Sequence, residues 1–244
     1  MRYATTARRL AAAGLLPLAL SACSSAAPGG VDAAPQSPAA PAASSGAAAP
    51  DQNAHLLTGT RLKQALALAS AFPAGYTLDA DGSRDTGDTF VEPTAADVPQ
   101  PDCTKLGGTS WTSITGIEGV SFAQNDYLNK NTSGEIAQEV DVYRDTTAQT
   151  VMKAVGMLAK ACPSFTDSQT HAKVKVTEKE LTGVGDGAYT LTLTSSAWKG
   201  GMGLVAARKG TAVVTVLVSS DKDNGIATAV RFTNHILAAL PTGS

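Results

Sequence analysis

The sequence predicts an α+β domain over residues 56–244, one antiparallel sheet with helices packed on one face. Three observations carry that expectation. Glu135–Arg144 alternates as a strand and runs straight into a helical pattern. Four strand-like runs follow between residues 173 and 219 with only glycine turns between them, so consecutive runs pair antiparallel. A last amphipathic stretch closes the domain.

The domain opens near Leu56. Leu62, Ala65, Leu66 and Ala69 recur at i, i+3, i+4 and i+7, a short amphipathic helix that Thr58 or Thr60 can cap. Phe72-Pro73-Ala74-Gly75-Tyr76 ends it, because Pro73 cannot continue a helical ladder. Asp79–Gln100 is polar and holds Pro93 and Pro99, so it reads as loop with a short edge strand at Thr89–Glu92. Thr109–Ile114 and Gly119–Phe122 are rich in β-branched and aromatic residues and read as short strands. Residues 129–134 form a turn after Tyr127.

In Glu135–Arg144, Ile136, Gln138, Val140 and Val142 share one face, with Glu139, Asp141 and Tyr143 on the other. Thr146 and Gln149 have capping-box spacing, and Asp145 adds negative charge at the start of the next helix. Val151, Met152, Val155, Leu158 and Ala159 form its buried stripe, up to Cys162-Pro163. The four strands after it are Lys173–Leu181, Ala188–Ser195, Gly203–Arg208 and Thr211–Ser219. Tyr189, Leu191 and Leu193 alternate with threonines, whereas Val213–Val218 is apolar on both faces apart from Thr215 and belongs at the sheet centre. Glycines mark the turns at 183–187, 200–201 and 210. Asp223 or Asn224 then opens a helix with Ile226, Ala229, Val230, Ile236, Leu237 and Leu240 on one side.

Residues 1–22 divide as a secretory signal does: Arg2, Arg8 and Arg9, then an apolar run from Leu10 to Leu20, then small residues. Eleven apolar residues fall short of the roughly 20 that span a bilayer. Arg8-Arg9 lacks the flanking pattern of a twin-arginine signal. Leu20-Ser21-Ala22-Cys23 resembles a bacterial lipobox, which implies cleavage before Cys23 and a diacylglyceryl group, with palmitate, on its sulfur. Residues 23–55 then form a lipidated cysteine and a tether. Of the 27 residues from Ser24 to Pro50, 24 are Ala, Pro, Ser or Gly and only Asp32 is charged. Such a stretch cannot offset its conformational entropy by burial, and as a flexible chain it reaches roughly 30 Å.

Removing the leader takes three arginines and no acid from 19 basic and 21 acidic side chains, leaving a net charge of −5. A mildly acidic chain without a basic patch excludes nucleic acid as the expected partner. Cys103 and Cys162 remain, and in an exported domain they most simply form a disulfide, worth about 4 kcal/mol for a loop of this length.

No metalloprotease His-Glu pair, nucleophile elbow or Walker loop appears. His55, His171 and His235 are scattered and read as solvated surface groups. Asp79–Asp85 and Asp221–Gly225 place oxygen ligands at alternate positions but lack EF-hand spacing, so no metal and no cofactor is expected. Gly183, Gly185 and Gly187 lie between strands, which suits a hairpin and not a phosphate loop. Tyr76, Trp111, Tyr127 and Trp198 are the aromatic candidates for lining a ligand cleft, Trp198 beside Lys199-Gly200-Gly201 being the one most exposed at a turn.

Four pieces together resemble exported lipoproteins of high-GC Gram-positive bacteria, and within them the extracellular sensor domain of some mycobacterial receptor serine/threonine kinases. They are Leu56-Leu57-Thr58 leading to Phe72-Pro73-Ala74-Gly75-Tyr76, Cys103 before the sheet, Gln138–Asp145 leading to Cys162, and Gly185-Asp186-Gly187-Ala188-Tyr189. The resemblance implies an α+β domain with a ligand cleft and no catalysis, at the extracellular face of the cell membrane. It departs in having one disulfide where the kinase domain has two, and neither a kinase nor a spanning segment. The expectation is a lipid-anchored module binding a small or lipidic ligand. The alternatives are a scaffold docking another envelope protein, a cell-envelope hydrolase, or a half-barrel lipid carrier with a large apolar cavity.

Overall fold

A computed structural model describes residues 51–94, 100–132, 134–168 and 170–241, all within one compact unit spanning residues 49–244. The expected signal peptide, Cys23 and the tether up to residue 50 lie outside the described residues. The elements are α1 (Gly59–Lys63), β1 (Tyr76–Asp85), α2 (Trp111–Thr115), β2 (Ser121–Asn129), β3 (Glu135–Val142), α3 (Thr147–Val155), α4 (Leu158–Ala161), β4 (Ser164–Thr166), β5 (Lys173–Leu181), β6 (Ala188–Thr194), β7 (Gly201–Lys209), β8 (Ala212–Ser220) and α5 (Ile226–Ala239). Eight strands form one sheet in the order β1-β2-β3-β8-β7-β6-β5-β4, antiparallel throughout. A three-strand meander and a five-strand meander therefore meet at the β3–β8 pair. The α+β class and the antiparallel sheet are as expected.

The expected one-sided packing is not what forms: helices cover both faces. On one face, Ile136, Val140 and Val142 of β3, Val205 of β7 and Val214, Val216 and Val218 of β8 pack against α5 and the segment after α1. Phe72 sits at the centre, its ring edge-on to Tyr127 (4.5 Å between centroids) and Phe232 (4.7 Å). On the other face, Leu191, Leu193, Leu204, Val213 and Leu217 pack against α2, α3 and α4. Burying each such side chain contributes roughly 1.5–3 kcal/mol, so a central sheet with two apolar stripes needs two roofs.

Four local expectations change. The first helix stops at Lys63, because buried Gln138 captures the backbone of Ala67, accepting from its N–H (2.9 Å) and donating to its carbonyl (2.8 Å). Asp79–Asp85 is part of an edge strand, with a bulge between Asp79 and Arg84. Thr109–Ile114 holds helix α2, capped by Ser110 and closed by Gly116 in the left-handed region (φ 73°). Thr89–Glu92 is not a strand; one backbone bond, from Val91 N–H to the Val120 carbonyl (2.8 Å), and packing of Phe90 tie it to the core. Elsewhere β3 and β5–β8 fall within about two residues of their expected bounds.

The Cys103–Cys162 disulfide forms, with Cα atoms 5.6 Å apart, and ties the segment leading into α2 to the end of α4. Arg144 pairs with Glu92 through both terminal nitrogens and donates to Asn53 (2.9 Å), so ordered contacts reach back to the first described residues. Among the described residues no helix is long and apolar enough to cross a membrane.

Candidate functional site

The α2–α4 face of the sheet divides along its width. Cross-strand rows run Asp79–Asp126–Ala137–Leu217–Leu204–Leu191 and Arg84–Gln124–Glu139–Thr215–Ala206–Tyr189. The β5–β8 half is apolar, whereas the β1–β3 half presents acids and amides. Over that polar half the α2 segment leaves a cleft of about 510 Å³, lined among others by Arg84, Lys105, Ser113, Gln124, Glu135 and Trp198.

Hydrogen bonds fix the floor. Arg84 Nη2 donates to Gln124 Oε1 (2.5 Å), and Gln124 Nε2 donates to both carboxylate oxygens of Asp126 (3.0 and 2.9 Å). Burial and the nearby charges of Asp126 and Asp79 push the Glu135 carboxyl up to about 7, so it carries its proton through the acid range. Burial likewise raises Asp126.

Behind the cleft wall lies a second acidic pair. Thr109 Oγ1 donates to Glu139 Oε2 (2.6 Å), and Trp111 Nε1 donates to Thr215 Oγ1 (2.6 Å), so α2 is pinned to β3 and β8 through buried bonds. Glu139 and Asp141 stand two residues apart on the same face of β3, and both are buried. Desolvation raises both carboxyls, and Glu139 raises Asp141 further. Glu139 and Asp141 share a side-chain hydrogen bond, while Asp141 Oδ2 and the Tyr143 hydroxyl beside it have no partner.

A second cleft, of about 580 Å³, opens at one end of the sheet where three connections converge. It is lined by Asn131 and Thr132 from the β2–β3 turn, Trp198 and Lys199 from the β6–β7 hairpin, and Ser220 and Asp221 from the end of β8. Trp198 and Met202 line both clefts and stand between them.

The hairpin carrying Trp198 is held rigidly. Gly200 has φ +87°, and a Cβ there would sit 2.0 Å from the Ser220 carbonyl oxygen. Gly201 N–H donates to the Asp223 carbonyl (3.0 Å) and Trp198 N–H to the Ser195 carbonyl (3.2 Å). Only glycine permits that approach, so the backbone of the tip is fastened to the β8–α5 turn.

The four aromatic candidates fare differently. Trp198 lines both clefts. Tyr76 is half-buried at the same end of the sheet; burial and Asp221 raise its hydroxyl. Tyr127 is buried against Phe72, and Trp111 is fully buried in the other core. These two pack the interior and line neither cleft. His55, His171 and His235 are all exposed, as expected of solvated groups. Asp221–Gly225 is a hydrogen-bonded turn, with Asp223 Oδ1 accepting from Gly225 N–H (2.7 Å). Arg84, Gln124, Asp126, Glu135 and Asn131 are not among the candidates the sequence offers, and Asp221 enters there only as a possible cation ligand. For Glu135 the available signal is β3, whose charged face belongs to the sheet interior and therefore needs a roof.

No family model matches the chain, and no curated protein matches it. Among solved structures, the extracellular domain of PknH from Mycobacterium tuberculosis is similar over 75% of this chain and 95% of its own, at 13% sequence identity and a TM-score of 0.47. A likeness at that level carries no weight for ligand or role, which rest on the residues themselves.

Proposed function

We propose that the chain is a lipid-anchored extracellular binding module, without catalysis, that takes a small polar ligand in the clefts meeting at Trp198. One observation carries the reading: a partly buried indole, on a hairpin tip whose backbone is fastened to the β8–α5 turn, borders two open clefts lined with amide, hydroxyl and carboxyl groups. Ligand sites of this kind combine an aromatic wall with a few convergent polar groups. A lipidic ligand fits less well, because both sheet–helix interfaces are filled by side chains such as Phe72, Phe232, Leu204 and Leu217. The half-barrel carrier is disfavoured for the same reason.

Anchoring rests on Leu20–Cys23 alone. Labelled palmitate is expected to enter the wild-type chain and not Cys23→Ala, and Cys23→Ala is expected in the medium. A Cys23→Ala chain that stays with membranes would refute the anchor. For the cleft, native mass spectrometry of protein extracted from its own membranes is expected to show a non-covalent mass that Trp198→Ala loses. An unchanged adduct in Trp198→Ala would move the site elsewhere. Crosslinking in cells that recovers one stoichiometric protein partner through the Trp198 face would favour the scaffold reading instead.

A further inference from the structure

We infer that the cleft at the strand ends is a glycan-binding site, with Trp198 as the platform on which a pyranose ring stacks. The inference rests on the cleft reading above and adds the chemical class of the ligand. A sugar ring offers a flat apolar face of C–H groups and a rim of hydroxyls. It needs an aromatic surface on one side and paired donors and acceptors around the edge.

This cleft supplies both. Trp198 is partly buried, packed against the core of the α2–α4 face, and borders the cleft. Around it stand the Asn131 amide, the Thr132 and Ser220 hydroxyls and the Asp221 carboxylate, each able to meet a sugar hydroxyl. The lining holds one cation and one anion, Lys199 and Asp221, 3.4 Å apart, so it carries no net charge. A phosphate or a polycation finds no field here to favour it. The opening is wide, and it continues past Trp198 and Met202 to the second cleft, where Gln124 and Glu135 present further polar groups. An extended oligosaccharide suits that shape better than one enclosed sugar. The Gly200 turn holds the backbone of the hairpin tip, so little main-chain ordering has to occur on binding.

The chain has two tryptophans, and Trp111 is fully buried with its N–H bonded to Thr215. Quenching of fluorescence by acrylamide therefore reports Trp198. The experiment uses the full chain carrying Cys23→Ser and hexasaccharides of glucose, N-acetylglucosamine, galactose and mannose, with spermidine and a mixture of free amino acids as the other arm. At least one saccharide is expected to shift the emission to the blue and protect it from acrylamide. Trp198→Ala should abolish binding measured by calorimetry, and Asp221→Asn should weaken it at least tenfold with the melting temperature unchanged. Protection by spermidine or an amino acid and by no saccharide overturns the glycan class while leaving the cleft reading intact. No response to any probe counts against both, and saccharide binding that survives Trp198→Ala removes Trp198 from the site.

Discussion

The two faces of the sheet solve the same burial problem with different chemistry. The face under α5 is apolar, and its main polar intruders are satisfied: Gln138 holds both backbone groups of Ala67, and Lys209 caps a helix end. Among the described residues, the Thr233 hydroxyl of α5 lacks a partner there. The face under α2–α4 buries Glu139 and Asp141 and leaves Asp141 Oδ2 and the Tyr143 hydroxyl unpaired. An unpaired buried polar group costs about 1–3 kcal/mol. That cost falls in the interior behind the cleft, since Glu139, Asp141 and Tyr143 are buried and line neither opening.

Truncating the apolar half of the α2–α4 face should have the largest effect. Leu217 is fully buried opposite Leu204. Leu217→Ala should lose about 2–5 kcal/mol in urea unfolding, through lost burial and the cavity left behind. A loss under about 1 kcal/mol would mean that this half is loosely packed and that the contrast between the halves is false.

The polar half should respond with the opposite sign. Glu135 holds its proton up to about pH 7 in the folded protein, whereas the unfolded chain releases it near 4.5. Between those values the folded state binds more protons, so stability is full below about pH 4.5 and falls as pH rises to about 7. The linkage amounts to about 3 kcal/mol. Asp126, Glu139 and Asp141 act in the same direction. Unfolding curves at pH 5, 6 and 7.5 should show wild type least stable at 7.5, Glu135→Gln flatter, and Asp141→Asn more stable than wild type at neutral pH by roughly 1–3 kcal/mol. Identical pH slopes in wild type and Glu135→Gln would show that Glu135 is ionised in the folded protein.

The same contrast explains what was legible in the sequence. Strands β5–β8 stood out because period-two alternation and glycine turns are local signals. The site did not, because it depends on pairings distant in sequence. Asp79–Asp85 reads as loop by composition; as an edge strand with one side in water it tolerates that composition and supplies Asp79 and Arg84 to the floor. The β-branched run around Trp111 reads as strand, yet burial of the indole against Thr215 selects a helical turn. The alternation of β3 puts Glu139, Asp141 and Tyr143 on one face. That α2–α4 cover this face is set by packing distant in sequence, with the expected Cys103–Cys162 disulfide tying the segment before α2 to the end of α4. Trp198 was legible since a tryptophan beside two glycines has few interior uses.

The smallest effect tests whether the apolar face really satisfies its polar groups. Helix α5 ends with carbonyls that no turn of its own can pair. Lys209, reaching across from β7, donates to the Leu237 carbonyl (2.8 Å) and the Leu240 carbonyl (2.6 Å). Its charge also sits at the negative end of the helix dipole. Lys209→Met keeps the apolar stem over the sheet and removes only the donor, so it should cost about 1 kcal/mol. Hydrogen exchange should quicken in the last turn of α5 and remain slow in β8. Quickening across the whole β7–β8 pair would instead make Lys209 part of the sheet's core packing, and the two faces would then differ less than their hydrogen bonds suggest.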